Sequence, residues 1–126
     1  MPAATQAADV LWLHLFYHDL HTSLMQAKGA TAARFNRAAY ERLKPGGSYV
    51  IVDHAAAVGA GTSDAQSLHR IEPASVRAEV EAAGFVLDAE STMLANKDDL
   101  HSIKAFDPSI KGKTDRFAYR FTKLRQ

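Results

Sequence analysis

The chain lacks several features that would assign it to a functional class at once. It contains no cysteine, which excludes a disulfide scaffold, a thiolate zinc site and a thiol nucleophile. No apolar run approaches the roughly 20 residues of a membrane-spanning helix, and no basic segment leads into a secretory core at the N-terminus. The chain also has no large excess of charge of either sign, because it contains 15 basic and 14 acidic residues and its net charge is +1. We therefore expect no membrane partner, no nucleic-acid partner and, by default, a cytoplasmic location without a signal peptide.

The composition that remains is typical of a single soluble domain. The chain has 126 residues, of which 47% are apolar and 23% are charged. This supplies one hydrophobic core and is too short for two domains of ordinary size. Residues 1–8 are small and polar without periodicity, so we predict a flexible leader there and one α/β domain over residues 9–126.

The first structured segment is an apolar run that begins at Val10 and ends near Tyr17. Such a run is typical of a strand that is covered on both faces, as in a parallel sheet, although a buried helix gives the same pattern. The β-branched and aromatic side chains in the run favour the strand.

A helix followed by a second strand is predicted next. Residues 31–44 place apolar side chains on one helical stripe and charged ones on the other side. Pro45-Gly46-Gly47 ends this helix, because proline cannot continue it and glycine permits a tight exit. Residues 48–53 are apolar and β-branched and end in an acid, which predicts a strand.

The second half of the chain repeats this pattern once. Residues 54–68 predict a long loop, and Glu72-Pro73 begins a helix that Gly84 ends. A third strand is expected to run to about Thr92.

The last quarter of the chain departs from the pattern. Residues 95–114 are polar and predict a long excursion, after which alternating aromatic residues over 117–121 predict a final strand. Strand–helix–strand connections specify a largely parallel sheet with helices on its faces, and the last two strands run antiparallel to each other because no helix joins them. Ligands bind beyond the carboxyl ends of such strands.

Several segments resemble class I S-adenosylmethionine (SAM)-dependent methyltransferases. The segment from Phe35 through Leu43-Lys44-Pro45-Gly46-Gly47 is similar to the late helix, turn and fifth strand of that family, and Glu81-Ala82-Ala83-Gly84-Phe85 is similar to the helix-to-strand joint that follows. Asp9 to Leu20 resembles the fourth strand and its motif. Val52-Asp53-His54, Gly59-Ala60-Gly61-Thr62 and Leu68-His69-Arg70-Ile71 resemble a bacterial subgroup of predicted methyltransferases.

The resemblance covers residues 9–124 and implies only the C-terminal half of that fold. It implies a three-layer, Rossmann-like half-sheet with strands equivalent to 4-5-7-6, the last strand antiparallel. The glycine-rich turn and the ribose-binding acid that hold SAM in the family belong to the other half. We therefore expect methyl transfer to an unknown small molecule only if another polypeptide supplies an N-terminal half, and no SAM binding by this chain alone. The alternative is a non-catalytic binding or assembly module that retains the half-sheet.

The candidate site residues lie just after the first two strands and before the second long helix. His18 and His54 are the candidate catalytic groups, since imidazole serves as a base near neutral pH. Five residues are candidates for binding or orienting the acceptor: Tyr17, Asp19, Asp53, His69 and Arg70. Structural roles, such as turn capping by Asp19 or a solvated surface charge at Arg70, remain open.

Two other patterns are weaker. His14, His18 and His21 would share a helical face as metal ligands, but a strand through His14 removes that geometry, so we assign no metal ligands. Gly59-Ala60-Gly61 lacks the third glycine of a nucleotide-binding loop and is interpreted as a flexible loop. Lys97-Asp98-Asp99 and Lys111-Gly112-Lys113 are interpreted as solvated loop charges.

The first strand raises a problem of assembly. In the complete family fold it pairs with a strand that this half-sheet does not contain, and a bare apolar edge is an aggregation hazard. We therefore expect a homodimer in which this strand meets its symmetry mate through Leu11, Trp12, Leu13 and Phe16.

Overall fold

The computed structural model describes residues 7–124. Within these residues the structure contains four strands and four helices, with one 3₁₀ turn after the first strand. The strands are β1 (Ala8–His14), β2 (Leu43–His54), β3 (Val86–Ser91) and β4 (Arg116–Thr122). The helices are α1 (Ser23–Ala27), α2 (Ala32–Arg42), α3 (Ala65–Leu68) and α4 (Pro73–Ala82), and the 3₁₀ turn is Tyr17–His21.

The strands form one open sheet in the order β1-β2-β4-β3. β1 is parallel to β2, and β4 is antiparallel to both of its neighbours. This arrangement confirms the predicted half of a Rossmann-like α/β sheet and its antiparallel last strand. The apolar run after the leader is a strand and not a helix, and it begins at Ala8, within the segment interpreted as leader. Of the rest of that predicted leader, Ala7 is exposed and outside the strand, and residues 1–6 lie outside the described residues.

The turn between α2 and the sheet differs in detail from the prediction. The side chain of Thr31 caps α2 by accepting a hydrogen bond from the backbone N–H of Arg34 at 3.3 Å. β2 already begins at Leu43, and its pairing with β1 shifts between Ala8↔Leu43 and Val10↔Ser48 to accommodate the Pro-Gly-Gly turn. Gly47 is required there, because a Cβ atom would lie 2.8 Å from the carbonyl oxygen of Lys44 and 3.0 Å from that of Asp9.

The hydrophobic core lies between the sheet and the pair formed by α2 and α4. Tyr49, Ile51 and Phe121 project from the sheet into it, and Val76 and Val80 project from α4; none of the five is accessible to solvent. Each such side chain contributes about 1.5–3 kcal/mol by burial. Among residues 7–124, no helix combines the length and apolar character needed to cross a bilayer.

The opposite face of the sheet is open along β1. Val10 is 54% exposed and Trp12 is 63% exposed, whereas Leu11 and Leu13 alternate with them and pack on the core. The expectation that β1 is covered on both faces is therefore wrong for the described residues, because both long helices pack on one side. Near His54, at the carboxyl end of β2, Phe106 and Thr114 of the 95–114 segment cover the second face.

Candidate functional site

Five polar residues meet at the carboxyl ends of β1 and β2, the edge where open α/β sheets bind their ligands. The 3₁₀ turn after β1 and the last two residues of β2 each contribute two of them, and the residue that follows α3 completes the set. We call this set the polar cluster; its members are His18, Asp19, Asp53, His54 and His69. The sequence named seven candidates at the strand ends, and the structure brings these five together while it directs Tyr17 and Arg70 elsewhere.

Asp53 is the centre of the polar cluster. It is fully buried, and its carboxylate accepts a hydrogen bond from the backbone N–H of His18 at 2.7 Å and from that of His54 at 2.8 Å. The same carboxylate lies 2.8 Å from Nδ1 of His18. Because an ionised carboxylate only accepts hydrogen bonds, Nδ1 of His18 carries the proton of this contact.

His18 is oriented by this contact. Its Nε2 atom lies 3.4 Å from Oδ1 of Asp19, toward the rim, while its ring is 1% exposed. Burial acts to lower the pKa of His18, but the hydrogen bond and charge of Asp53 outweigh it, so the pKa is raised above its ordinary value. The carboxylates thus stabilise positive charge at this imidazole.

His54 occupies a different environment. Its Nδ1 lies 2.6 Å from the hydroxyl oxygen of Thr114, and its Nε2 is buried without a hydrogen-bond partner among the described residues. Burial lowers the pKa of His54 to about 4, so this ring is neutral near neutral pH. A neutral imidazole with a free nitrogen can donate to or accept from a ligand.

His69 borders the polar cluster on the side of α3. It terminates α3 in the left-handed conformation, with φ 57°, which is uncommon for a residue other than glycine. Its ring meets that of His18 edge-on at 5.5 Å and lies 4.9 Å from the ring of Phe106. Burial and the neighbouring His18 lower the pKa of His69.

Tyr17 faces the core and not the polar cluster. It is fully buried, its hydroxyl donates to Oε1 of Glu79 at 2.9 Å, and it accepts a hydrogen bond from Nδ2 of Asn36 at 2.8 Å. Burial raises the pKa of its phenol well above the ordinary value. These contacts tie the 3₁₀ turn to α2 and α4, which gives Tyr17 a structural function in the described residues.

Arg70 is also directed inward. Its guanidinium is fully buried and binds both carboxylate oxygens of Asp99, at 2.8 and 2.9 Å. It donates in addition to the carbonyl oxygens of Ala55 and Ile103. The interpretation of Asp99 as a solvated loop charge is therefore wrong: this side chain is 1% exposed and anchors the 95–114 segment to the strand ends.

The 95–114 segment contributes contacts that the sequence did not predict. Phe106 packs on His69 and on His54, and Thr114 holds the ring of His54. The segment has neither helical nor strand periodicity, so the sequence could not predict which side chains of this segment contact the polar cluster. The sequence feature that could have indicated an ordered loop is the pair of acids at positions 99 and 115, because each accepts hydrogen bonds that hold the loop together.

The two weaker patterns have ordinary structural explanations. The backbone N–H groups of Gly59 and Gly61 donate to the carboxylate of Glu72 at 3.1 and 2.9 Å, so this glycine loop is filled by the chain's own acid. His14 is exposed on β1 and His21 binds Glu79 at 2.9 Å, so His14, His18 and His21 do not share a site. The Gly59–Gly61 loop thus contacts Glu72 of the same chain.

Two surface depressions lie away from the polar cluster. A groove of about 370 Å³ runs between α2 and α4 and is lined by Tyr40 and Glu79 among others. A depression of about 300 Å³ lies on the open sheet face and is lined by Trp12, Val50 and Arg120 among others. Neither depression is lined by a residue of the polar cluster, so both lie outside the candidate site.

Comparison with solved structures identifies chains that share this fold. A Haloferax volcanii complex of the Trm112 methyltransferase activator and a candidate methyltransferase matches the whole chain with a TM-score of 0.62 at 12% identity. The chain has a methyltransferase-like fold. The cyclase SpnF matches it with a TM-score of 0.60 at 14% identity, and a candidate DNA modification methylase from Thermus thermophilus matches with 0.53 at 18%. No protein-family model matches the chain, and no curated protein matches its sequence.

These matches concern the fold alone. The whole chain aligns with 58%, 53% and 47% of the three solved chains, so it spans about half of their length. One of the three is a cyclase, which illustrates that this fold carries more than one chemistry. Function must therefore be argued from the polar cluster.

Proposed function

We propose that the chain is a methyltransferase-like domain that provides the acceptor side of SAM-dependent methyl transfer to a small molecule. The polar cluster carries this proposal, because it gathers three imidazoles and two carboxylates at the ligand-binding edge of a methyltransferase-like half-sheet. The cofactor side of this proposal is supplied from outside the described residues. The contact of Gly59 and Gly61 with Glu72 supports a cofactor side outside the described residues.

The roles follow from the contacts. His18 and His54 are the proposed catalytic groups, because each has a ring nitrogen, Nε2, that is not committed to a strong hydrogen bond within the fold. Asp19 and His69 line the rim and are proposed to contact the acceptor. Asp53 acts through His18 as a positioning residue.

Tyr17 and Arg70 are proposed to act indirectly. Both side chains are buried and fully engaged with core or loop partners, so neither is available to hold an acceptor. Tyr17 positions the turn that carries His18, and Arg70 positions the segment that carries Phe106.

Calorimetric titration of SAM into the purified chain tests this division of roles. We expect no heat of binding, because the glycine loop of the described residues is occupied by Glu72. Micromolar binding by the chain alone would overturn the proposal that its cofactor side comes from elsewhere.

A second candidate, a non-catalytic assembly module, is favoured by β1. Trp12 and Val10 form an exposed apolar edge next to the depression on the open sheet face. An apolar strand at the edge of a sheet favours pairing with another strand. We propose that two copies meet through β1 in a homodimer, with Trp12 at its centre and with Leu11, Leu13 and Phe16 packing beneath it on the core.

Light scattering tests the homodimer. We expect about twice the 13.7 kDa mass of one chain at micromolar concentration, and a shift to the monomer mass in Trp12→Ser. Val58→Ser is the matched control, since Val58 is 97% exposed and lies away from β1. A monodisperse monomer for the unaltered chain would contradict the homodimer.

A further inference from the structure

Three side chains of the polar cluster are spaced as ligands of one metal ion. A ring nitrogen of His18, a carboxylate oxygen of Asp19 and a ring nitrogen of His69 all lie within 4.8 Å of one another. Nε2 of His18 and Oδ1 of Asp19 are 3.4 Å apart, and two ligands at about 2.1 Å from a tetrahedral zinc ion are separated by about 3.4 Å. We propose that His18, Asp19 and His69 bind a divalent first-row transition-metal ion.

Asp53 prepares His18 for this role. The carboxylate of Asp53 accepts a hydrogen bond from Nδ1–H of His18. In the neutral imidazole the lone pair is then on Nε2, which lies beside the carboxylate of Asp19. In the metal-free chain a proton on Nε2 satisfies both atoms, and a bound metal ion would replace that proton. A buried carboxylate behind a metal-binding histidine is also the usual arrangement in protein metal sites, where it fixes the ring and raises its basicity.

His54 provides an independent observation. Its side chain is 4% exposed, and Nε2 has no hydrogen-bond partner among the described residues. The rings of His54 and His18 are 6.1 Å apart. A buried polar atom without a protein partner is uncommon in a folded protein, and a water molecule or another ligand at Nε2 would satisfy it.

The donor set determines the class of ion. Two imidazoles and one carboxylate suit Zn²⁺, Fe²⁺ or Mn²⁺ and leave positions open for an outside ligand. Asp19 is 36% exposed and His69 is half-buried, so solvent or an acceptor can reach the ion from the rim. A hydroxyl oxygen on such an ion loses its proton more easily. This catalytic consequence rests on the proposed function, whereas binding of the ion does not. With the ion bound, Nε2 of His18 is a ligand, so His18 acts on the acceptor through the ion and not as a free base.

The sequence predicted no metal ligands. The only histidines with a suitable spacing were His14, His18 and His21, and a strand through His14 excludes that set. His69 lies far along the chain and joins His18 through the fold. The difference between the two histidine sets supplies a control, since His14 is exposed on β1, outside the proposed site.

Calorimetric titration of Zn²⁺ into the metal-free chain in a non-coordinating buffer tests the site. We expect one ion per chain, and Co²⁺ in its place should give the visible absorption of a tetrahedral or five-coordinate site. His69→Gln and Asp19→Asn should each abolish the calorimetric signal, and Asp53→Asn should weaken binding about 10- to 100-fold. His14→Gln should bind as the unaltered chain does. Circular dichroism shows which variants remain folded.

Each other outcome contradicts the proposal. Absence of Zn²⁺ binding by the folded, unaltered chain would show that the cation beside Asp19 is a proton. Binding that survives in folded His69→Gln and Asp19→Asn would show that the ion attaches elsewhere. Because this titration contains neither SAM nor an acceptor, its failure is distinguishable from failure of the proposed methyltransferase role.

Discussion

At the scale of single residues, Asp53 has the largest effect on the candidate site. One buried carboxylate joins the end of β2 to the turn after β1 by accepting from two backbone N–H groups and one imidazole. Its position was predictable, because an acid that ends an apolar strand stands at the ligand edge. Its bonds were not, since they depend on how the chain turns after His14.

Asp53→Asn should lower the free energy of unfolding by about 2 kcal/mol. The substitution removes the charge from hydrogen bonds that are worth more than neutral ones, and it places an amide donor against a donor. Denaturant unfolding measures the change. Asp9→Asn is the control, because the Asp9 side chain is 82% exposed in a surface pair with Lys44 and should change the free energy by less than about 1 kcal/mol. Equal losses in the two variants would show that Asp53 has no special role.

At the scale of elements, the sequence predicted helix boundaries correctly where residues that cap, begin or end a helix mark them. Thr31 and Pro73 mark the starts of α2 and α4 as predicted, and Gly84, with φ 110°, follows the end of α4. The 95–114 segment could not be predicted in the same way. Its contacts run from Asp99 to Arg70 and from Thr114 to His54, over 29 and 60 residues, and such pairs leave no periodic signal.

The Arg70–Asp99 pair should make this segment sensitive to acid. Burial alone would raise the pKa of Asp99, but the hydrogen bonds from Arg70 and from the backbone of Asp115 and His101 hold it below its ordinary value. The folded-state pKa thus lies below the unfolded one, so the pair's contribution is complete above the unfolded pKa and is lost as the pH falls through the folded pKa.

Unfolding measured across pH checks this expectation. Asp99→Asn should cost about 3–5 kcal/mol near neutral pH, because it leaves the buried Arg70 without a counter-charge, and its difference from the unaltered chain should shrink in acid. The matched control is Asp88→Asn, whose partner Arg120 is half-exposed. A loss from Asp99→Asn that does not vary with pH would refute the assignment.

At the scale of the whole molecule, the fold class was predictable because several motifs occur in the order that a methyltransferase half-sheet requires. The extent of the open face was not, since alternation along β1 buries Leu11 and Leu13 but exposes Val10 and Trp12. The chain aligns with about half of each solved chain that it matches. Its proposed assignment is the acceptor side of methyl transfer, with the polar cluster as its chemistry.

The measurement that tests this assignment most directly is SAM binding by the chain alone. A calorimetric titration at high protein concentration, with a complete SAM-dependent methyltransferase as the positive control, should show heat only for the control. The same result is expected whether or not Zn²⁺ is present, because the proposed ion lies on the acceptor side. Saturable micromolar binding of SAM to residues 1–126 would contradict the assignment.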